Sequence, residues 1–457
     1  MKTDTRYWIR DPLACFTATS ASGDGGVVVK GGVIEEVLGR GVQPSFPVDQ
    51  VVDAREHVLM PGLINTHHHF YQTLTRAYPG ALNKELFDWL KSLYPVWSSL
   101  RPEMLHSATR VALAELLLSG CTTSADHHYL FPVGMEEAID SQVLASESIG
   151  ARVTLTRGSM SLGEKDGGLP PQTTVQDEDT ILVDSERLIA RYHDAQEGAS
   201  VQIALAPCSP FSVTESLMRD TAVLAGKHEV RLHTHLAETV DEENYCLQTF
   251  GCRTVDYLER VGWLNENTWL AHGIHFNEEE IARLGAAQVG VSHCPGSNMM
   301  LGSGICRNLE LEAAGVKIGL AVDGSASNDA SNMIAETRLA LYLQRLRYGS
   351  AAVTHFDALR WATSGSAAVL GRSDIGQLTP GKQADLAMFK LDELSFAGSH
   401  DPLAALLLCS AQRADRVMVG GRWRVIDGAI VDLDIEQLKA EQRFQASQLV
   451  KNTYKKD

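Results

Sequence analysis

Short apolar runs recur along the middle of the chain, each closed by turn residues and followed by a stretch of helical periodicity. "RPEMLHSATRVALAELLLSG" spaces its apolar residues for a helix, and "CTTSADHHY" directly after it is a compact strand-type run. Eight strand candidates succeed one another: "LMPGLINTH", "CTTSADH", "ARVTLTRG", "VQIALAP", "VRLHTHLAE", "TWLAHGIH", "QVGVSHCP" and "KIGLAVDG". Such alternation predicts parallel strands joined by helical crossovers. Eight of them suit a closed (β/α)8 TIM barrel of the α/β class, whose functional residues gather at the C-terminal strand ends. A doubly wound sheet is the alternative, but the first strand-helix turn lacks the G-x-G-x-x-G fingerprint.

The two ends have a different texture. "GGVVVKGGVIEEVLG" and "VVDAREHVLM" near the start, and "GQLTPGKQADLAMFKL" and "ADRVMVGGRWRVIDGAIV" near the finish, are short β-type runs separated by Gly turns. The predicted organisation is a barrel over residues 61–370, flanked by a β-sandwich from residues 1–60 and 371–457, the last ending in a tail.

Composition narrows the function classes. Of 457 residues 44% are hydrophobic and 21% charged, with no apolar run long enough to span a bilayer, so no membrane partner is expected. The N-terminal stretch lacks the features of a secretory signal, and a cytoplasmic location is expected. Eight cysteines without C-x-x-C spacing argue for packed thiols rather than disulfides or a cysteine zinc site. A net charge of −17 without basic clusters argues against nucleic acid and for a small-molecule substrate.

Candidate chemistry sits at the strand ends. In "PGLINTHHHFYQ", alternation along a strand puts His67 and His69 on one side and His68 on the other. Two imidazoles at i and i+2 can grip one cation, although a lone H-x-H is as readily a solvated strand end. Later strands end in the same residue types: "LHTHLAE" carries His233, His235 and Glu238, "LAHGIH" carries His272 and "LAVDGS" carries Asp323. In a barrel these ends converge. Three histidines and an aspartate would hold one divalent cation, Zn²⁺ first with Fe²⁺ or Mn²⁺ possible, and leave a position for water.

The motifs "PGLINTHHH", "HLAE", "AHG", "SHCPGSN" and "VDGSASND", in this order and spacing, resemble the amidohydrolase superfamily. The likeness is to its mononuclear deaminase branch, which includes guanine, cytosine and S-adenosylhomocysteine deaminases and the triazine hydrolases. It implies a (β/α)8 barrel with a sandwich built from both termini, and metal ligation by His67, His69, His235 and Asp323. Glu238, His272 and Asp323 are implied as catalytic groups. No lysine ends the fourth strand, where binuclear members carry a bridging one, so a single metal is expected. His68 is expected to pack or to support the ligands, His233 to be a buried hydrogen-bonded residue, and His127 and His128 to border the pocket or be solvated, neither being named as a ligand.

The resemblance also bears on substrate. Gln72 matches the glutamine of the guanine deaminase H-x-H-x-x-Q pattern, and its amide suits the N1–H and carbonyl edge of a guanine-like ring. Trp97 stands where S-adenosylhomocysteine deaminases place a ribose-binding Glu, and Cys208 in "PCSPF" falls where guanine deaminases carry an Arg-Phe pair. A free heterocyclic base is therefore expected, with 8-oxoguanine, giving urate and ammonia, ahead of hydroxyatrazine with an alkylamine leaving group. Trp89, Tyr94 and Trp97 in "FDWLKSLYPVW" are candidates for an aromatic cover, and Trp89, Trp97, Cys208 and Gln72 for substrate contacts. A homo-oligomer is expected. A catalytically silent barrel serving as an interaction protein is the alternative of another class.

Overall fold

In the computed structural model, which describes residues 4–453, eight parallel strands follow one another in chain order around one sheet. They are Leu63–Asn65, Cys121–His128, Arg152–Ser159, Val201–Pro207, Leu232–Leu236, Thr268–His272, Gly290–His293 and Lys317–Leu320. The first and eighth are stitched together beyond their ladders. Thr66 donates its N–H to the Leu320 carbonyl (3.0 Å), and Asp323 donates to the His67 carbonyl (3.2 Å). Asn65 adds an acceptor, its side-chain oxygen taking the Val322 N–H at 2.9 Å. This seam all but closes the barrel.

The run "LMPGLINTH" divides at Gly62. His57–Pro61 leaves the barrel to pair antiparallel with Leu386–Lys390, Pro61 opposite Leu386, while Leu63 begins the first barrel strand. A Cβ at Gly62 would stand 2.2 Å from the Thr122 hydroxyl, so only glycine lets the two strands approach here.

Outside the barrel lie two further sheets. A four-stranded one, Val33–Leu38, Gly26–Lys30, Tyr7–Arg10 and Gln50–Asp53, is built from the N-terminal segment alone. A six-stranded one combines Ala14–Cys15 and His57–Pro61 with four strands from the C-terminal segment. Ile9, Val27, Val29 and Ile34 of the first sheet share an apolar core with Leu59, Leu386, Met388 and Met418 of the second, which makes the pair a sandwich. Beyond it the chain forms a 19-residue helix, Ile435–Thr453, where the sequence suggested only a tail. Asp434 caps it by accepting the Gln437 N–H, and Gln442 bonds both Ser107 and Thr73, tying it to the barrel beside the first strand's loop. All eight cysteines are free thiols.

Candidate active site

The polypeptide leaves the first strand at Asn65 and remains non-helical through His69 (φ −130°, ψ 86°), so side chains keep alternating past the end of the sheet. His67 and His69 enter one cluster. His68 turns out of it, packs on Phe70 and accepts the His69 N–H at 2.8 Å. The expected division of the three histidines holds, although they lie beyond the strand.

Each ring of the cluster is locked through Nδ1. That of His69 donates to the His127 carbonyl and that of His235 to the Cys208 carbonyl, both at 2.7 Å. His67 Nδ1 bonds His233 Nε2 (2.7 Å), and His233 Nδ1 in turn donates to the Trp269 carbonyl (2.9 Å). Carbonyls only accept, so this relay makes His67 Nδ1 the donor, and all three rings present an Nε2 lone pair. His69 Nε2 lies 3.2 Å from His235 Nε2, and the Nε2 atoms of His67 and His69 lie 3.3 and 3.4 Å from Asp323 Oδ1. Ligand atoms bonded tetrahedrally to one Zn²⁺ at roughly 2.0–2.1 Å would be separated by about 3.3 Å. His67 Nε2 is buried without a hydrogen-bond partner. The donor set therefore fits a divalent cation. Burial lowers the pKa of His67 and His69, and that of His235 to about 3, keeping the imidazoles neutral as ligation requires.

Of the two histidines that end the second strand, His127 stands beside the cluster. Its ring stacks on His235 at 4.7 Å, its Nε2 donates to the Ala206 carbonyl at 2.9 Å, and its Nδ1 has no partner. It belongs with His67, His69 and His235 to one group of metal-ligand type atoms, while His67, His272 and Asp323 form another.

Beside this cluster, His272 directs Nε2 at Glu238 Oε2 (3.5 Å) and Asp323 Oδ2 (3.9 Å). Its Nδ1 donates to Asn298 Oδ1 at 2.9 Å, which sets the tautomer. Burial opposes charge on His272, yet the Glu238 and Asp323 carboxylates outweigh it and raise its pKa. Glu238 is pushed up to about 6 chiefly by burial, so it can carry a proton near neutrality. Asp323, although buried, is held well below the usual carboxylate range by the imidazoles of His67, His272 and His69. Ser327 and the Gly324 N–H donate to its two oxygens.

Strain marks the same residues. His272 (φ 71°), Asp323 (φ 63°) and Ala237 (φ 53°) adopt left-handed backbone that non-glycine residues avoid, at a cost of order 1–3 kcal/mol each. What holds the third is Glu242, which the sequence reading missed. Its carboxylate accepts the N–H groups of Ala237 and Glu238 at 3.0 and 2.9 Å and so fixes the backbone under Glu238. The pattern E-x-x-x-E after "HLA" was the only available signal. Asn298, in "SHCPGSN", was seen as a motif but not as the partner of His272.

A cavity opens over the cluster, lined by His69, His235, Glu238, His272, Asp323 and Ser327 at its polar end. Gln72, Trp89 and Cys208 border it. Gln72 Oε1 accepts the Ala326 N–H (3.2 Å) and its Nε2 donates one N–H to the Tyr71 hydroxyl (3.5 Å), which leaves the second N–H for a ligand. Trp97 does not border the cavity. It lies fully buried behind Trp89, 5.4 Å from it ring to ring, and donates to the Thr75 hydroxyl. Leu86, Trp89, Leu90 and Tyr94 lie on the helix face that looks inward; Trp97 shares that face by helical spacing but, as the last residue of the helix, stands beyond the cavity. Burial raises the Cys208 thiol to about 12, so it remains protonated.

Residues 58–424 match the amidohydrolase family. The chain is 68% identical to the 8-oxoguanine deaminase of Pseudomonas aeruginosa over 98% of its own length and 99% of that protein. It is 37% identical to the hydroxydechloroatrazine ethylaminohydrolase of Pseudomonas sp. (strain ADP), over 77% and 74%. Among solved structures, atrazine chlorohydrolase from Arthrobacter aurescens TC1 complexed with zinc superposes with a TM-score of 0.91 at 30% identity, covering 96% of this chain and 100% of that one.

Proposed function

The chain belongs to the amidohydrolase family, and we propose that it hydrolytically deaminates 8-oxoguanine to urate and ammonia with one divalent cation, Zn²⁺, held by His67, His69, His235 and Asp323. The 68% identity to an 8-oxoguanine deaminase over nearly the full length of both chains carries this reading. When bound, the cation supplies the Lewis acidity that makes water a nucleophile near neutral pH.

The protein's own groups handle orientation and protons. Asp323, ionised and steadied by Ser327 and Gly324, takes a proton from the attacking water as its oxygen bonds to C2. Glu238, whose pKa is pushed up to about 6 chiefly by burial so that it can carry a proton near neutrality, gives that proton to the ring nitrogen beside C2 and keeps charge from accumulating there. His272, tethered to Asn298, stabilises the negative charge that develops at C2 oxygen. Proton return to the exocyclic nitrogen breaks the C2–N bond and releases ammonia. Trp89 and the apolar residues near it exclude bulk water from the reacting edge.

Hydroxyatrazine, with an alkylamine leaving group, is the second reading, supported by the 37% identity to a triazine aminohydrolase. The test is amine release from 8-oxoguanine, guanine, isocytosine, cytosine, adenosine and hydroxyatrazine, with kcat/KM for each. 8-Oxoguanine is expected to rank first; a higher kcat/KM for hydroxyatrazine would reverse the assignment.

A further inference from the structure

The polar groups lining the cavity can be accounted for one by one. His69, His235, Glu238, His272 and Asp323 belong to the reacting end, and Ser327 donates to Asp323. The Trp89 indole N–H is spent on the Ala326 carbonyl (3.1 Å). Tyr129 is in hydrogen-bond contact with Tyr71. Gln72 is anchored to the loop after the eighth strand through Ala326. The Cys208 sulfur has His235 Nδ1 at 4.0 Å and Ser209 and Ser212 in hydrogen-bond contact, which leaves the hydroxyl of Tyr94. Tyr94 is 1% exposed, and its hydroxyl has no hydrogen-bond partner. Leaving such a group buried and unpaired is costly, and a bound ligand that accepts from it removes that cost.

The position of this orphan decides what it can read. Cys208 follows the fourth barrel strand, opposite the eighth around the ring, and the thiol is one of the ionisable groups that act on Tyr94. Gln72 is held on the eighth-strand side. A purine whose C2 lies at Glu238 and His272 must direct its five-membered ring away from that reacting end. No lysine or arginine lines the cavity, so the far wall suits a neutral edge.

We propose that Tyr94 is the residue that determines specificity for the imidazolone edge of an 8-oxopurine, its hydroxyl donating to the C8 carbonyl with the Cys208 side of the wall beside N7–H. This rests on the deamination at C2 proposed above. A cyclic-urea edge offers a carbonyl flanked by N–H groups, whereas guanine carries a C–H at C8 and has no acceptor at that position.

The test uses the metal-loaded enzyme and its Tyr94→Phe variant, with urate and xanthine as binding probes in calorimetry and 8-oxoguanine and guanine as substrates. Urate carries the C8 carbonyl and xanthine does not. Tyr94→Phe is expected to weaken urate about 10-fold, to leave xanthine within twofold, and to lower kcat/KM for 8-oxoguanine about 10-fold. Its thermal midpoint should be unchanged or higher, because the substitution removes an unpaired buried hydroxyl. Equal losses for urate and xanthine, an unchanged urate affinity, or a lowered thermal midpoint would overturn the assignment. Absence of 8-oxoguanine turnover in the wild type would instead defeat the reaction reading, while the urate and xanthine comparison would still report on Tyr94.

Discussion

The two ends of the barrel bury polar groups in opposite ways. Where the third strand starts, Arg152 meets Asp385 through two bonds (2.6 and 3.2 Å), and its remaining N–H groups reach the Gly198 and Ala199 carbonyls and Gln383. Asp385 also accepts the Gly420 N–H, from the sandwich. Nearby, Arg372 and Asp374 form a second bidentate pair at 2.7 Å, and Asp374 accepts the Gly198 N–H. Each of these four charges has its complement. At the other end His67 Nε2, His127 Nδ1 and the Tyr94 hydroxyl are buried without partners, and His272 and Asp323 sit on strained backbone. One end spends its polar groups on holding barrel and sandwich together. The other keeps them for a cation and a substrate, at a cost in stability.

The largest effect that could break this contrast lies at the satisfied end. Asp385→Ala would strand a buried guanidinium and is expected to destabilise the protein by about 3–5 kcal/mol. Its kcat/KM per folded molecule should stay near wild type. Chemical denaturation beside active-site titration checks both; a stable variant with impaired turnover would blur the two ends.

Next comes Glu238→Gln. Loss of the proton donor should lower kcat at least roughly 100-fold, about 2.7 kcal/mol, with metal content by elemental analysis unchanged. Because Glu238 is a buried acid with a raised pKa, the neutral amide should leave the melting temperature equal or higher. A melting point several degrees lower, or turnover near normal, would contradict the role.

The smallest effect separates the ends by acid. Burial opposes ionisation of Asp374, but Arg372 and the Gly198 N–H outweigh it and bring its pKa to about 2, below the usual value near 3.9. A depressed folded-state pKa contributes stability above the unfolded value and loses it as pH falls through the folded one. The stability difference between wild type and Asp374→Asn should therefore shrink between about pH 4 and pH 2. A difference constant over that range would remove Asp374 from the account.

Along the chain, the barrel was legible because strands buried on both faces must be apolar, and helix and strand periods differ. The strand-end positions of His67, His69, His235, Glu238, His272 and Asp323 were legible too, since a barrel brings its C-terminal strand ends together whatever their separation in sequence. The C-terminal segment's 19-residue helix, with buried Leu438 and Leu449, has long polar stretches between apolar contacts and escaped a periodicity reading. Only the tertiary structure decided which ring nitrogen each histidine presents, because carbonyls of distant strands set the tautomers. It alone turned Trp97 into core while leaving Trp89 at the cavity: both lie on one helix face, and where along that face the cavity stops depends on the packing of neighbouring segments. It also left the Tyr94 hydroxyl without a partner, and no sequence can show that, since a missing hydrogen bond is a property of everything around the atom.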